Sequence, residues 1–173
     1  MKPRIKITAP NDHAVVLCSA TWEDQESLRA WKNANRQYFF FKNVIERDGQ
    51  HRWFEGHLRR PDDHMFMVIV EGKPIGCLAV RVLGDELDIY NVILGDERFS
   101  GKGYMTRGIR MMAKFAFDRY PRRPLRLKVL KNNPAVRWYE RNGFHSIGGG
   151  DDYLELEFNG SLELPQISVL EER

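Results

Sequence analysis

The sequence is poor in cysteine and has no long apolar run. Cys18 and Cys77 are the only cysteines in 173 residues, and each lies in an apolar stretch, which favours two buried reduced thiols over a disulfide. The five histidines lack the spacing of zinc ligands, so no metal site is expected. No stretch is long enough to cross a bilayer, and the first residues carry no apolar leader. We therefore expect a cytoplasmic protein with no membrane partner.

Long blocks of charge of one sign are also missing. The formal net charge is +3, and 27 Lys and Arg are interleaved with 24 Asp and Glu, so no nucleic-acid partner is expected. Apolar residues make up 42% of the chain, with ten Phe and four Trp, which is enough to build one packed core at this length. We expect a single domain over residues 1–160, followed by an acidic C-terminal tail over residues 161–173.

Hydrophobic periodicity and turn residues predict a chain in which strands and helices alternate. The first helix is expected to begin near Thr21, and three further helices are expected to cover about residues 48–60, 103–120 and 134–142. The strands are expected over residues 14–19, 65–70, 75–83, 86–94, 125–130, 144–147 and 153–158. The resulting order, βααβββαβαββ, describes an α/β (α+β) domain with about seven strands and about four helices.

A glycine-rich turn precedes the longest predicted helix. It reads Ser100-Gly101-Lys102-Gly103-Tyr104-Met105-Thr106. Turns of this kind direct backbone N–H groups and a helix N-terminus at an anion. Gly101 and Gly103 would let a phosphate approach the backbone closely, while Thr106 would add a hydroxyl group and Lys102 a diffuse positive charge. A Rossmann dinucleotide site is disfavoured, because no strand with a terminal acid follows at the expected distance.

A second motif reads Asn132-x-x-Ala135-x-x-x-Tyr139-x-x-x-Gly143-Phe144. It places one tyrosine hydroxyl on a short helix between an asparagine-bearing loop and a Gly-Phe stop. Together with the glycine turn, it resembles the acyl-CoA-binding half of the GNAT superfamily of N-acetyltransferases. The order of elements also resembles the GNAT fold, a mixed central sheet that splays to admit the cofactor. The family's pattern also fits residues 98–103, with Arg98 in the place of its Arg or Gln, but we prefer the alignment over residues 100–105, in which the run enters the helix in the family's manner. In that alignment the chain departs from the family's loop at Ser100, where Arg or Gln is usual, and at Met105, where a small residue is usual.

The resemblance implies a GNAT acetyltransferase domain over residues 1–160 that uses acetyl-CoA (coenzyme A). It also implies that Tyr139 is catalytic and donates a proton to the departing thiolate. Backbone groups from Asn91 to Leu94 would pair with the pantetheine arm like an added strand, and a nearby main-chain N–H would hold the oxyanion. The cofactor-binding residues implied in this way are Ile93, Leu94, Gly101, Lys102, Gly103, Tyr104, Met105, Thr106 and Asn132.

Transfer to an amine also requires a base that removes the proton of the amine. Some relatives carry a glutamate on the strand over residues 125–130, where this chain has Leu127. Asp88 is our first candidate for a catalytic base, because it lies on the strand that leads into the site. A solvated aspartate at a strand end would account for it equally well. The other candidates are Glu86, Glu55, His57 and His145.

The first two helices and their connection shape the acceptor pocket in this superfamily. The arrangement of a helix with Trp31-Lys32-Asn33 and a later Trp53-Phe54 resembles that of one subset of the superfamily, whose members act on two types of acceptor. These are the ribosomal-protein N-terminal acetyltransferases and the acetyltransferases of amino sugars on nucleotide-linked saccharides. The expected substrate-binding residues are Trp31, Arg36, Trp53 and Asn91. Aromatic rings would stack on a sugar or base, and Arg36 would meet a phosphate, although packing in the core would account for the aromatic residues as well.

The expected function is therefore an acetyl-CoA-dependent N-acetyltransferase. It would move the acetyl group directly to a primary amine of a small molecule, with an amino sugar or sugar nucleotide as the candidate. A protein or peptide N-terminal acetyltransferase is one alternative. A non-catalytic acyl-CoA-binding module is another, because of Ser100, Met105 and the lack of an obvious base. A small-molecule amine is the expected partner. A surface formed with the final strands would suit a homodimer, which no residue pattern establishes.

Overall fold

The computed structural model describes residues 2–172, which form one nine-stranded sheet with helices on both faces. The strands are β1 (Arg4–Ala9), β2 (Asp12–Ser19), β3 (Asp63–Val70), β4 (Lys73–Leu83), β5 (Glu86–Leu94), β6 (Leu125–Leu130), β7 (Phe144–Gly149), β8 (Tyr153–Phe158) and β9 (Ser168–Glu172). The helices are α1 (Gln25–Ala34), α2 (Arg47–Leu58), α3 (Tyr104–Arg119) and α4 (Val136–Arg141). The strand order is β7-β8-β6-β5-β4-β3-β2-β1-β9. Among the described helices, none is long and apolar enough to cross a membrane.

Two strands at one edge of the sheet were not expected from the sequence. In β1, Ile5, Ile7 and Ala9 are buried and the residues between them are charged or polar, a period-two pattern in a short strand. In β9 every residue is exposed, so its sequence carries no alternation. This strand pairs antiparallel with β1 from Arg4↔Glu172 to Thr8↔Ser168. The segment expected as an acidic tail therefore continues the sheet.

Alternate residues of the central strands face two separate helical layers. On β4, Leu78 and Val80 belong to the core beneath α3 and α4, whereas Cys77 and Ala79 belong to the core beneath α1 and α2. Helix α3 lies very close to the sheet, because a Cβ on Gly108 would be 3.0 Å from Cδ1 of Leu78. Both cysteines are free thiols, as expected, and Cys77 is buried, whereas Cys18, which was also expected to be buried, is partly exposed.

The sheet opens between β5 and β6. These strands form the one parallel pair in the described sheet, and they pair only from Leu87↔Leu125 to Ile89↔Leu127. Beyond that point β6 continues along β8, while β5 continues along β4. A bulge lies on β5 where the pairing ends: Asn91 has a φ of 48°, and the register with β4 shifts between Cys77 and Ala79. A bulge bends its strand, so β5 diverges from β6. The expected mixed, splayed sheet is confirmed, with nine strands instead of about seven.

Candidate active site

One cavity of about 630 Å³ lies between the end of β5, the glycine turn, the start of α3 and α4. We call it the turn cavity. Gly101 and Gly103 line it with φ values of 71° and 78°, a left-handed conformation that favours glycine. The first α3 hydrogen bond runs from the N–H of Arg107 to the carbonyl of Gly103 at 3.1 Å. The N–H groups of residues 103–106 therefore have no acceptor among the described residues, as at other helix N-termini, and are available to an anion.

The turn cavity is positively charged. Arg110 of α3 and Arg141 of α4 line it, and no carboxylate is among its lining residues in the described chain. Nε of Arg110 donates a hydrogen bond to Oδ1 of Asn142 at 3.3 Å, which joins the two helices beside the cavity. Sequence reasoning missed both arginines. Arg110 lies four residues after Thr106, on the same face of α3, so the spacing alone points to it, whereas Arg141 required the packing of α4.

The expected cofactor-binding residues do not all lie in this cavity. Leu94, Gly101, Gly103, Tyr104, Met105 and Thr106 line it. Ile93 lies on the opposite face of β5, in the core beneath α1 and α2. Lys102 is exposed, with Nζ 5.7 Å from the centroid of the Phe99 ring. Asn132 is exposed and does not line the turn cavity. Its neighbour Asn133 accepts a hydrogen bond from the N–H of Ala135 at 2.9 Å and lines the opening of the sheet.

A second cavity, of about 530 Å³, occupies the opening between β5 and β6. We call it the splay cavity. Tyr139 reaches it from α4 with only 6% of its surface exposed, between the rings of Trp138 and Phe144 at centroid distances of 5.1 and 5.8 Å. Its hydroxyl forms no hydrogen bond with the described residues, and burial raises its pKa. The hydroxyl therefore stays protonated at neutral pH and has its proton free to donate.

A third cavity, of about 710 Å³, lies on the α1 and α2 face of β5. We call it the acceptor cavity. Trp53 lines it and stacks on His57 at a centroid distance of 5.6 Å. His57 in turn has Nδ1 3.3 Å from Oδ1 of Asp63, and the hydroxyl of Tyr90 donates to the same oxygen. Burial opposes ionisation of Asp63, but the adjacent His57 ring, the hydrogen bond from Tyr90 and the charge of Arg60 lower its pKa to about 2. The carboxylate thus fixes two residues beside the cavity.

The three cavities follow one another along β5. Asn91 and Tyr90 line both the acceptor cavity and the splay cavity. Val92 lines both the splay cavity and the turn cavity. The three cavities therefore adjoin one another along β5, from the glycine turn, past Tyr139, to the acceptor cavity on the other face of the sheet.

Two of the expected substrate-binding residues lie outside the acceptor cavity. Trp31 packs on the backbone of Gly95, where an added Cβ would lie 2.0 Å from Cε2 of the indole. Arg36 is exposed, and its Nη1 donates to the carbonyl oxygen of Asn33 at 3.1 Å. Trp53 and Asn91, in contrast, both line the cavity. The spacing of residues along α1 did not reveal that the turn after Leu94 would cover the side of the helix that carries Trp31.

The candidate bases also separate by position. Asp88 lines the splay cavity, its Oδ2 accepts a hydrogen bond from Nε of Arg81 at 2.9 Å, and burial raises its pKa. Glu86 lines the same cavity and pairs with Arg126 at 3.0 Å. The remaining three candidates line none of the three cavities: Glu55 and His145 are exposed, and His57 is buried against its carboxylate partner.

Comparison with known proteins agrees with this geometry. The model of the acetyltransferase (GNAT) family matches residues 22–144, from α1 to the Gly-Phe stop. Among solved structures, FdhC, a nucleotide-linked sugar GNAT, is similar with a TM-score of 0.72 and 14% identity, over 91% of this chain and 90% of that chain. No curated protein sequence matches the chain.

Two further solved structures share the fold. One is the acetyl transferase from Salmonella typhimurium that modifies the N-terminal serine of ribosomal protein L7/L12. It has a TM-score of 0.68 and 16% identity, over 95% of this chain and 98% of that chain. The other is spermidine N-acetyltransferase from Vibrio cholerae in complex with CoA and spermine. It has a TM-score of 0.68 and 18% identity, over 93% of this chain and 97% of that chain. Identities this low show a common fold and leave the acceptor open.

Proposed function

The chain belongs to the acetyltransferase (GNAT) family, whose members use acetyl-CoA, and we propose that it transfers the acetyl group directly to a primary amine of a small molecule. An amino sugar, free or nucleotide-linked, is the first candidate acceptor. The observation that carries the proposal is the row of adjoining cavities along β5, where the splay cavity shares lining residues 90–92 with the acceptor and turn cavities. Such an arrangement would bring an amine and a thioester together from opposite faces of the sheet.

The residues of the turn cavity fit the pyrophosphate of coenzyme A. Gly101 and Gly103 bring backbone N–H groups to the surface of the cavity, and Arg110 and Arg141 add positive charge without a competing carboxylate among the lining residues. The helix N-terminus contributes in the same direction. The bound thioester would supply the activated acetyl group, and the open edge of β5 offers backbone groups for the pantetheine arm.

Tyr139 has the properties of a general acid. The residue lines the splay cavity, its hydroxyl has no hydrogen-bond partner among the described residues, and its raised pKa keeps the proton in place until a thiolate leaves. Direct transfer is supported by Cys77, the cysteine that lines the acceptor cavity. Burial raises the pKa of this thiol to about 12, so it would not act as a thiolate nucleophile that carries the acetyl group at neutral pH.

The lining of the acceptor cavity favours a small ring-containing amine over a polyamine. Phe41, Trp53 and Tyr90 offer aromatic faces for stacking. The charged lining residues are Lys32, Arg52, Arg81, Glu46 and Asp48. This set has no excess of carboxylates to hold a polycation, and its two arginines would suit the phosphates of a sugar nucleotide. The fold of FdhC, a nucleotide-linked sugar GNAT, is compatible with this candidate.

A thiol-release assay with acetyl-CoA and a panel of amines tests the proposal. The panel contains amino sugars, amino-sugar nucleotides, polyamines, amino acids and N-terminal peptides, and CoA binding is followed separately by thermal shift. We expect release of thiol with an amino sugar or its nucleotide. Turnover limited to peptides would instead identify a protein N-terminal acetyltransferase. CoA binding without turnover on any amine would overturn the proposal in favour of a binding module.

A further inference from the structure

Lys32 lies at the junction of the acceptor cavity and the splay cavity and lines both. It projects from α1, and its Nζ donates a hydrogen bond to Oδ1 of Asn91 at 2.5 Å. The same nitrogen lies 3.3 Å from the centroid of the Phe39 ring. The side chain therefore reaches the bulge on β5, at the point where an amine from one cavity would meet a thioester from the other.

The amine of Lys32 has no carboxylate partner among the described residues. Its one hydrogen-bond acceptor is the neutral amide of Asn91. A partly buried ammonium without an opposite charge is costly, so the loss of hydration favours the neutral form. The face of the Phe39 ring favours the ammonium and works against burial. Burial prevails and lowers the pKa of Lys32 to about 8.

Titratable and charged groups face the two cavities from several elements. The groups that line the acceptor cavity are Glu46, Asp48 and Arg52, which lie in α2 or just before it, and Cys77 and Arg81 of β4. The groups that line the splay cavity are Glu86, Asp88 and Tyr90 of β5, Lys128 of β6, and three tyrosines of other segments, Tyr38, Tyr139 and Tyr153. Among these, Cys77 acts on Lys32 by charge when ionised, and it would raise the lysine pKa. Because its own pKa is about 12, the thiol is neutral over the working range.

We propose that Lys32 is the catalytic base that removes the proton of the acceptor amine. The inference rests on the proposed function. An N–H bond of the acceptor ammonium breaks, its electron pair stays on the acceptor nitrogen, and the neutral Nζ of Lys32 takes the proton and becomes an ammonium. The neutral acceptor then carries the lone pair that forms the new C–N bond. The C–S bond breaks, Tyr139 gives its proton to the departing sulfur, and the second proton that the new amide nitrogen loses returns to the Tyr139 phenolate. Lys32 returns its proton to water through the acceptor cavity.

Asp88 is less well placed for this step. Its Oδ2 is engaged by Arg81 at 2.9 Å, and it lines only the splay cavity, whereas Lys32 lines both cavities. An amine entering from the acceptor cavity meets Lys32 first. The position of a lysine at this junction also explains how the chain has a base although Leu127 stands where some relatives carry a glutamate.

The test compares Lys32→Met and Lys32→Arg with wild type in kcat/KM against pH, using the acceptor found in the amine panel. Lys32→Met removes the base, and Lys32→Arg keeps a positive charge that does not deprotonate near neutral pH. We expect both variants to lose about 10²-fold at pH 7.5 while CoA affinity and melting temperature stay near the wild-type values. Lys114→Met is the matched control, because Lys114 pairs with Asp118 on the surface of α3 and should leave the rate unchanged.

A second readout separates a base from a structural lysine. Among acceptors of the panel's active class, the loss in Lys32→Met should shrink as the pKa of the acceptor amine falls, because a weakly basic amine is already neutral. Wild-type activity in the arginine variant, or a loss that does not depend on amine pKa, would overturn the assignment of Lys32 while leaving the proposed function intact. Failure of wild type with every amine would instead remove the proposed function and this inference together.

Discussion

The indole Nε1 of Trp138 donates a hydrogen bond to Oγ1 of Thr106 at 2.9 Å. This contact joins α4 to the first turn of α3 across the turn cavity, which both residues line. The hydroxyl oxygen of Thr106 is thus used as an acceptor, and its proton remains free to be donated to an anion. Thr106 therefore both links the two helices that border the cavity and presents a hydroxyl donor to it.

Thr106→Val should weaken CoA binding without unfolding the protein. The substitution keeps the shape of the side chain and removes both the acceptor for Trp138 and the donor to the phosphates. A hydrogen bond of this kind contributes about 0.5–1.5 kcal/mol, so the Kd for CoA should rise roughly threefold to tenfold. Isothermal titration calorimetry measures the change. Thr8→Val, on β1 at the far edge of the sheet, is the control, and an equal loss there would show a general effect on stability.

Gly101→Ala and Gly103→Ala should lower both stability and CoA affinity. A Cβ on either glycine meets no atom within 4 Å, so the stability cost comes from the positive φ alone, at about 1 kcal/mol each. Gly84 has a φ of 59°, is equally open and lies in the β4–β5 turn. Gly84→Ala should lose similar stability in a thermal melt and bind CoA normally. If all three variants bind CoA like wild type, the glycine turn does not hold the pyrophosphate.

Tyr139→Phe should reduce turnover and spare binding. The substitution removes the hydroxyl of a residue that lines the splay cavity and keeps the ring between its aromatic neighbours. Loss of a general acid lowers kcat by roughly 10²–10⁴-fold, whereas the Kd for CoA, measured by calorimetry, should stay within a factor of about two. Tyr120→Phe removes a hydroxyl bonded to His64 and Asp62, outside the three cavities. Equal kcat losses in both variants would contradict an acid role for Tyr139.

Trp31→Phe and Trp53→Phe should have different effects. Trp31 packs on Gly95, so its truncation should lower the free energy of unfolding by about 1 kcal/mol and leave the KM for the acceptor unchanged. Trp53 lines the acceptor cavity, so its truncation should raise that KM severalfold. Chemical denaturation and steady-state kinetics measure the two quantities. A change of acceptor KM in the Trp31 variant would restore the binding role that the sequence suggested.

Local patterns predicted the parts of the site that depend on local structure. The bounds of β5 and β6 were expected over residues 86–94 and 125–130 and are observed there. Residues Leu125 to Val129 alternate between apolar and charged types, and β5 follows a Gly-Asp turn and ends in three apolar residues. The glycine turn was predicted because a positive φ selects glycine. The tyrosine of α4 was identified by the resemblance to a family, and its contact with the opening of the sheet follows from the packing of α4.

The remaining features depend on contacts between distant residues. Lys32 precedes Asn91 by 59 residues, and its sequence neighbourhood reads as an ordinary helix with a solvated lysine. Only the packing of α1 against β5 buries that amine and removes it from any carboxylate. Asp88 was preferred from its strand position, but its ion pair required the register in which Arg81↔Asp88 face each other on β4 and β5. Strand β9 is exposed along its whole length, so no burial pattern marked it.

Asn91→Asp should move the pH dependence of the reaction upward. Aspartate has nearly the same shape and tolerates the φ of 48° at this bulge, but it places a carboxylate where Nζ of Lys32 now meets an amide oxygen at 2.5 Å. An adjacent opposite charge raises the pKa of a lysine, which is about 8 in wild type, by roughly 1–3 units. Less of the lysine is then neutral at pH 7.5, so kcat/KM should fall there and recover at higher pH.

Asn43→Asp, on the exposed connection between α1 and α2, is the control and should leave the dependence of kcat/KM on pH unchanged. If the pH at which kcat/KM rises stays the same or falls in Asn91→Asp, the pKa of Lys32 does not determine that rise.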